Sequence, residues 1–347
     1  MKLLFLGDFY YDYDYIAEDI KKISDFIKKN NYTTILNLEG SIKTNNIAKK
    51  VVKLDFSDKF IEVLKMLNVQ AVNLANNHIM DYGKEGLELI LKKLDKAGIG
   101  YFGAGINIEN ACKPYIFTKD DYKIALCGYG WDMEECINAT HKNAGTAPID
   151  FDLVEKTINN TECNLFIPIF HYGYEFEPLP QPLHLAKTRE LLKNQNVRII
   201  IGHHPHIVQA YEEKIYYSLG NFYFSGKREM FYNNKKHSKE TSYGIGVVYD
   251  IDNDKKEIIE FLYDGKNSKI VKNYNKLNNI TKINTNDYLE YFYKNNVFSN
   301  KRFVYKYGIL NEKFLNRYKF HKRNLYKFYL RNIKWPSIRF VKKVLKK

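Results

Sequence analysis

Five apolar runs in this chain each lead, within two residues, to a side chain that can hold a metal ion. Leu3-Leu4-Phe5-Leu6 runs into Gly7-Asp8, and Thr34 to Leu38 into Glu39-Gly40. Ala71 to Ala75 runs into Asn76-Asn77-His78, and Asn164 to Phe170 into His171. Val197 to Ile201 runs into Gly202-His203-His204-Pro205-His206. Apolar, β-branched runs of this length read as buried strands. One Asp, Asn or His past a strand is an ordinary turn or N-cap residue. Five in series are not explained that way. They bring the ends of several strands together, where α/β sheets bind their ligands. Carboxylate, amide and imidazole donors converging there suit a dinuclear metal site.

The run from Gly202 to His206 is the densest of these, with three of the nine histidines. Neutral imidazole is the commonest metal ligand near neutral pH. A lone histidine is more often a packed core residue, whereas three directly behind a strand favour ligation. The remaining histidines are weaker. His184 precedes a helix and reads as a cap or packing residue. His141, His237 and His321 have no supporting context and read as surface residues.

Strand and helix patterns alternate along most of the chain. Helices are expected near 16–29, near 58–67 (Phe60, Val63, Leu64 and Leu67 at helical spacing) and over 85–97. The last carries Leu87, Ile90, Leu91 and Leu94 on one face and Gly98 just past its end. A hairpin is expected over 113–128, turning at Lys119-Asp120-Asp121. Strand 164–170, a helix over 183–194 and strand 197–201 make a β-α-β unit. Strands near Tyr216, over 246–250 and over 257–262 read as antiparallel. Helices on both faces of a layered, mixed sheet give an α/β fold.

The length of 347 residues suits about two domains of roughly 150 residues each, or one large domain with an appendage. Hydrophobic residues make up 45% of the chain, enough for a sizeable core. Four scattered cysteines without CxxC spacing read as reduced thiols, neither a zinc knot nor a disulfide scaffold. Composition changes near Gly265. Residues 266–347 carry 22 Lys and Arg against Asp287, Glu290 and Glu312, a surplus of 19. Residues 1–265 are left at −5 within a total of +14. Residues 1–265 are therefore expected to form a mildly acidic domain and 266–347 a basic extension. Residues 273–286 read as a linker. From Glu312 onward aromatic and basic residues interleave, and Pro336 breaks any helix there.

The order and spacing of motifs over residues 1 to 265 resemble one family. They are Gly7-Asp8, Asn37-Leu38-Glu39-Gly40, Ala75-Asn76-Asn77-His78 with Asp81 and Gly83, and Gly103-Ala104-Gly105. His171-Tyr172-Gly173-Tyr174-Glu175, Gly202 to His206 with Gln209, and Tyr217 to Phe222 complete the set. All are similar to the CapA family, the capsule-synthesis proteins of the calcineurin-like metallophosphoesterase superfamily. The resemblance implies a four-layer α/β/β/α sandwich, with the extension expected to be helical. It implies two divalent ions (Mn, Fe, Zn or Mg) and a metal-bridged hydroxide as nucleophile. It maps one ion onto Asp8, Glu39 and His206 and the other onto Glu39, Asn77, His171 and His204, with Glu39 bridging. His203 could stand in for either neighbour. His78 takes the place of the histidine that protonates the leaving group. Asp81 either orients His78 or caps the helix beginning near Lys84. Asn221 and Glu175 are candidate substrate contacts, Asn221 alternatively a turn residue and Glu175 alternatively a general base. The chain differs from the wider superfamily at Tyr10, where a histidine is usual, and at Glu39, where Asp is usual.

The implied function is a phosphoesterase-type hydrolase in capsule or related envelope polymer synthesis. Its substrate or partner would be a phosphoester or an anionic envelope polymer such as poly-γ-glutamate. A non-catalytic, polymer-binding accessory subunit is the rival reading, and a nuclease or nucleotide phosphodiesterase is the third. The basic extension suits an anionic membrane surface, at about 1 kcal/mol per Lys or Arg, or an anionic polymer. A solvated basic helix pair packed on the enzyme domain is the plain alternative. Nucleic acid ranks last because no nucleic-acid module is recognisable. No stretch approaches the ~20 apolar residues of a membrane span. The first apolar run is needed as a strand and does not read as a leader. A cytoplasmic location is expected, with peripheral contact at the inner membrane face as the extension's option.

Overall fold

The computed structural model describes residues 1–271 except 49, 51, 133–134, 226–237 and 265–266. These described residues belong to the first of two units, Met1–Lys282. The extension from residue 272 onward, with its linker and the expected helices, lies outside the described residues, as do His237 and His321.

Alternation along the strands decides which side chains meet. The main sheet holds β1 (Lys2–Tyr10), β2 (Thr33–Leu38), β3 (Val69–Asn73) and β4 (Gly100–Phe102) side by side in parallel. A two-stranded piece, β5 (Ala104–Gly105) with β8 (Gly145–Thr146), stands apart. The second sheet contains β6 (Tyr115–Lys119), β7 (Tyr122–Gly130), β9 (Leu165–His171), β10 (Ile200–His203) and β11 (Ile215–Tyr216), in the order β11-β10-β9-β7-β6. β12 (Asn221–Phe224) returns to pair in parallel with β1. β13 (Tyr243–Asp250), β14 (Lys255–Tyr263) and β15 (Ser268–Val271) extend the main sheet antiparallel from the other side of β1.

Leu3 and Phe5 of β1, Ile35 of β2 and Ala71 of β3 pack against Ile124 and Leu126 of β7, Ile167 and Ile169 of β9, and Ile201 of β10. This layer is the core between the sheets. The alternate residues Leu4, Leu6, Leu36 and Val72 face helices α1 (Glu18–Lys29), α2 (Phe60–Met66) and α3 (Gly83–Ala97). Those helices bury Ile20, Ile23 and Ile27, then Phe60, Val63 and Leu64, then Leu87, Ile90 and Leu94. Each such side chain contributes roughly 1.5–3 kcal/mol on burial. A single-turn helix, α4 (Ile108–Ala111), follows, capped by the side chain of Asn107. On the outer face of the second sheet, Phe170 meets Phe151 of α5 (Phe151–Asn160) with ring centroids 5.8 Å apart. Tyr172 stacks on His184 of α6 (Pro182–Leu191) at 4.5 Å. Helix, sheet, sheet, helix: the described residues form the four-layer α/β/β/α sandwich.

Most of the expected elements form. Gly98 ends α3 in the left-handed conformation, φ 70°, and the hairpin of β6 and β7 turns at Asp120, φ 53°. Several features differ, including the short elements β4, β5, β8, α4, β12 and β15, which were not expected, and the strand expected over 197–201, which forms as Ile200–His203. β11 is parallel to β10 rather than antiparallel, because it enters from a loop that crosses back past the strand ends. Helix α5 was not anticipated, although Asp150 caps it, accepting from the backbone N–H of Asp152 and Leu153. The four cysteines are free. Among the described residues no helix is long and apolar enough to cross a membrane.

Candidate metal centre

The core between the sheets turns polar at one end, strand by strand. Ile35 is followed on the same face by Asn37, Ala71 by Asn73, Ile169 by His171 and Ile201 by His203, in keeping with a period of two. On β1 the register slips between Leu6 and Asp8, which turns Asp8 to the same side. Close backbone approach at two glycines makes this packing possible. A Cβ on Gly7 would lie 2.0 Å from the Gly220 carbonyl oxygen, which accepts the Asp8 N–H at 3.0 Å. A Cβ on Gly202 would lie 2.0 Å from the Tyr217 carbonyl oxygen.

Asp8, Glu39 and His206, all buried, bring one ligand atom each to within 4.8 Å of one another. His206 Nε2 lies 3.6 Å from Glu39 Oε1. Its other nitrogen, Nδ1, bonds Asn221 Oδ1 at 2.9 Å, and Asn221 Nδ2 donates to the Thr241 carbonyl at 3.1 Å. Both ends of the Asn221 amide are thus engaged within the protein. Its contact is with His206, which it holds with Nε2 turned inward, as outer partners of metal-bound histidines do.

A second group lies alongside. His171 Nε2 is 3.0 Å from Asn77 Oδ1 and 3.1 Å from His204 Nδ1. Ligand atoms held about 2.1 Å from one ion at right angles lie about 3 Å apart, so this spacing fits a shared cation. The chain reverses between the histidines with His204 at φ 100° and His206 at φ 58°. Left-handed backbone at non-glycine residues costs roughly 1–3 kcal/mol each and concentrates at functional sites. His203 faces Asp8 from the side, with Nδ1 3.3 Å from Oδ1 and poor hydrogen-bond alignment.

The electrostatics are those of a site built around positive charge. Burial pushes the Glu39 carboxyl well above its ordinary range, and the charges of Asp8 and Glu175 add to the effect while Lys50 opposes it. Glu39 Oε1 is buried without a hydrogen-bond partner. Burial would raise Asp8 too, but His203, His206 and the amide of Asn37 outweigh it and hold Asp8 below its usual value. Burial lowers His171 well below the usual imidazole range, and the neighbouring histidines His204 and His203 add to this. Burial also lowers His206, against the pull of Asp8 and Glu175. An orphaned carboxylate oxygen beside neutral imidazoles is the donor set a divalent ion requires.

His78 stands next to this cluster. Its Nδ1 bonds Asp81 Oδ2 at 2.7 Å, and its backbone N–H is held by Asn76 Oδ1 at 3.1 Å. Asp81 is fully buried and also accepts the Leu54 N–H at 3.0 Å. Helix α3 starts with Tyr82 at its N-cap and no side-chain cap bond, so Asp81 orients His78 rather than capping the helix. Glu175 is half-buried on the following loop, within electrostatic reach of Glu39 and His206. Tyr10 is fully buried. Its ring packs on Phe56 and Phe224, and its hydroxyl donates to the Asp55 carbonyl at 2.9 Å. His184 sits between Trp131 and Tyr172 as a packing residue, and His141 is exposed beside Glu109.

Residues 3–226 match the family described as bacterial capsule synthesis protein PGA_cap, a span that contains every site residue named above. The chain belongs to this family. Among curated relatives it is similar to the capsule biosynthesis protein CapA of Bacillus anthracis, 28% identical over 227 residues, 62% of this chain and 54% of that one. It is equally similar to the PGA biosynthesis protein CapA of Bacillus subtilis (strain 168), 28% identical over 215 residues, 60% and 55% of the two chains. The chain spans about half the length of these curated relatives. Solved structures with some likeness include a hypothetical protein from Thermus thermophilus (TM-score 0.43, 11% identity, 78% of this chain and 96% of that one). The calcineurin-like phosphoesterase YfkN from Bacillus subtilis is another (TM-score 0.41, 15% identity, 78% and 88%).

Three residues at the site of this PGA_cap member were not singled out from the sequence. Asn37 donates to Asp8 and Glu39, Asn73 bonds Asn37, and Lys50 lies 3.4 Å from Asp81 Oδ1 and donates to the Asn77 carbonyl. Asn37 and Asn73 had one available signal, an amide inside an otherwise apolar strand. Lys50 had none, since it sits in a loop among other lysines.

Proposed function

We propose that this protein is a metal-dependent, phosphoesterase-type hydrolase acting in the synthesis of capsule or a related envelope polymer. One observation carries the reading: two adjoining groups of buried ligand atoms, Asp8–Glu39–His206 and Asn77–His171–His204, beside a histidine fixed by a buried carboxylate. Asp8, Glu39 and His206 would hold one divalent ion, and Asn77, His171 and His204 with Glu39 the other. Mn, Fe, Zn and Mg all suit mixed imidazole and carboxylate donors. When bound, such ions supply Lewis-acid charge and an activated water. The protein's own part is positional. Asp81 fixes the His78 ring through Nδ1, which leaves Nε2 to pass a proton to a leaving oxygen. Burial keeps His171 and His206 neutral, and so available as ligands.

The partner in this reading is a phosphoester or an anionic envelope polymer. The surplus of 19 positive charges in residues 266–347 supports contact with such a polymer or with an anionic membrane face. Metal content of the purified chain, together with turnover of p-nitrophenyl phosphate and bis-p-nitrophenyl phosphate after adding Mn²⁺, tests the hydrolase. About two ions per chain with Mn²⁺-dependent turnover supports it, and bound metal without turnover on any phosphoester removes it.

Tyr10 favours one second reading. With its hydroxyl committed to the Asp55 carbonyl, Tyr10 would leave an ion held by Asp8 with one protein ligand fewer than the superfamily pattern. A binding subunit that uses the site to hold an anionic chain needs no catalysis. Normal capsule in cells whose only copy carries His78→Ala would favour that subunit over the hydrolase.

A further inference from the structure

The two carboxylates of the candidate centre are steered by an amide that belongs to neither ligand group. Asp8, Asn37 and Asn73 are cross-strand neighbours on β1, β2 and β3. Asn37 Nδ2 donates to Asp8 Oδ1 at 2.9 Å and to Glu39 Oε2 at 3.1 Å. An amide nitrogen has two hydrogens, so these bonds use both, and His171 Nδ1 at 3.4 Å is left as a longer contact. The other two oxygens face His206. Asp8 Oδ2 is 3.6 Å from its Nδ1 and Glu39 Oε1 is 3.6 Å from its Nε2. The fork on Asn37 thus takes one oxygen of each carboxylate; of the other two, Glu39 Oε1 has no hydrogen-bond partner and Asp8 Oδ2 accepts the His204 backbone N–H at 3.4 Å.

An asparagine can present either end, since its oxygen and nitrogen exchange places by a half-turn. Reversed, Asn37 would set its oxygen against two carboxylates. Asn73 prevents this by donating from Nδ2 to Asn37 Oδ1 at 3.0 Å. Asn73 is itself fixed, because its Oδ1 accepts the backbone N–H of Ala75 at 3.2 Å, and a backbone donor cannot reverse. Space for Asn73 is kept by two glycines. A Cβ on Gly128 would lie 1.9 Å, and one on Gly103 2.8 Å, from Asn73 Oδ1.

We propose that Ala75 N–H, Asn73 and Asn37 form an oriented amide relay that sets which oxygens of Asp8 and Glu39 face the ions. Asn37 and Asn73 are positioning residues and not ligands. The inference rests on the metal reading of the site and is independent of which reaction is catalysed.

The test is Mn²⁺ titration by calorimetry of the full chain, with electron paramagnetic resonance of the loaded protein. Asn37→Leu keeps the branched shape, at a somewhat larger volume, and removes both donors. Asn73→Ser touches neither carboxylate and acts only through Asn37. Melting of the metal-free proteins checks that both fold. Asn37→Leu is expected to weaken Mn²⁺ binding about 10- to 100-fold, the usual cost of losing an outer partner of a ligand. It should also lose the exchange-coupled signal of an ion pair bridged by Glu39. Asn73→Ser should show the same spectral change with a smaller loss of affinity. If Asn37→Leu does not fold, Asn73→Ser decides alone. Wild-type affinity and spectrum in the folded variants overturn the relay and leave the metal site standing. A wild-type chain that takes up no Mn²⁺ overturns both.

Discussion

The two sheets bring opposite chemistries to one site. The main sheet supplies carboxylates and amides: Asp8, Glu39, Asn77, and behind them Asn37 and Asn73. The second sheet supplies imidazoles: His171, His203, His204 and His206. The acidic half is held by side chains bonded to side chains. The imidazole half is held largely by its backbone, through a turn with two left-handed histidines that is pinned where Ser218 Oγ donates to the Ile207 carbonyl at 2.7 Å. In the acidic half, burial disfavours the charged form of Glu39 and raises its carboxyl well above the ordinary range. In the imidazole half, burial lowers His171 and His206 below the usual imidazole range.

The largest effect should come from removing the imidazole half. His204→Ala combined with His206→Ala takes one ligand from each ion, and bound metal should fall from about two per chain to below one by elemental analysis. Retained stoichiometry would sink the assignment of both residues. Next in size, His78→Ala should lower turnover of a responsive phosphoester by about 10²- to 10⁴-fold with metal content unchanged. Loss of metal in that variant would move His78 into the ligand set. Asp81→Asn should follow with a smaller loss.

Glu39→Gln separates affinity from stability. It should abolish tight binding of the ion pair yet raise the metal-free melting temperature near pH 7 by a few degrees, about the shift expected from 1 kcal/mol or more in a chain of this size. The sign follows from the direction of the shift. A carboxyl raised above 4.5 in the fold contributes stability below that value, and the contribution is lost as pH rises through the raised one. An unchanged or lower melting temperature in the metal-free variant would show that Glu39 is not strained.

Gly7→Ala and Gly202→Ala probe the two halves equally, since each Cβ would meet a carbonyl oxygen at 2.0 Å. Each should cost about 1–3 kcal/mol by overpacking, measured by urea denaturation. A wild-type midpoint in either would mean that the backbone there shifts freely. The smallest effect is the acid response of the imidazole half. His171 and His206 are lowered below 6.5 in the fold, so the unfolded chain takes up protons first as pH falls below 6.5. Stability of the metal-free protein should decline from there downward. His171→Gln should flatten that slope, and an unchanged slope would remove His171 as its source.

Much of this was legible because it is local. Asp8, Glu39, Asn77, His171 and the Gly202–His206 run stand directly behind apolar runs, and strand alternation with a strand-end rule is enough to gather them. Asp81 was legible only as a choice between two roles, and the 2.7 Å bond to His78 made that choice. The direction of β11 was misjudged because pairing partners distant in sequence decide it. Asn221 looked substrate-facing because it follows a strand near the site, and its bond to His206 depends on β12 pairing with β1.

The sequence by itself determined the strand order of chemistries, the α/β class and the identities of the ligand-type residues, since periodicity and motif spacing are written in neighbouring positions. Tertiary structure alone decided how those residues are oriented: that the buried Tyr10 hydroxyl meets the Asp55 carbonyl, that Asn221 bonds His206, and that Asn73 bonds Asn37 and Asn37 both carboxylates. Such orientation depends on hydrogen bonds between residues 15 to 45 apart in the chain, and a cross-strand register leaves no trace in local spacing.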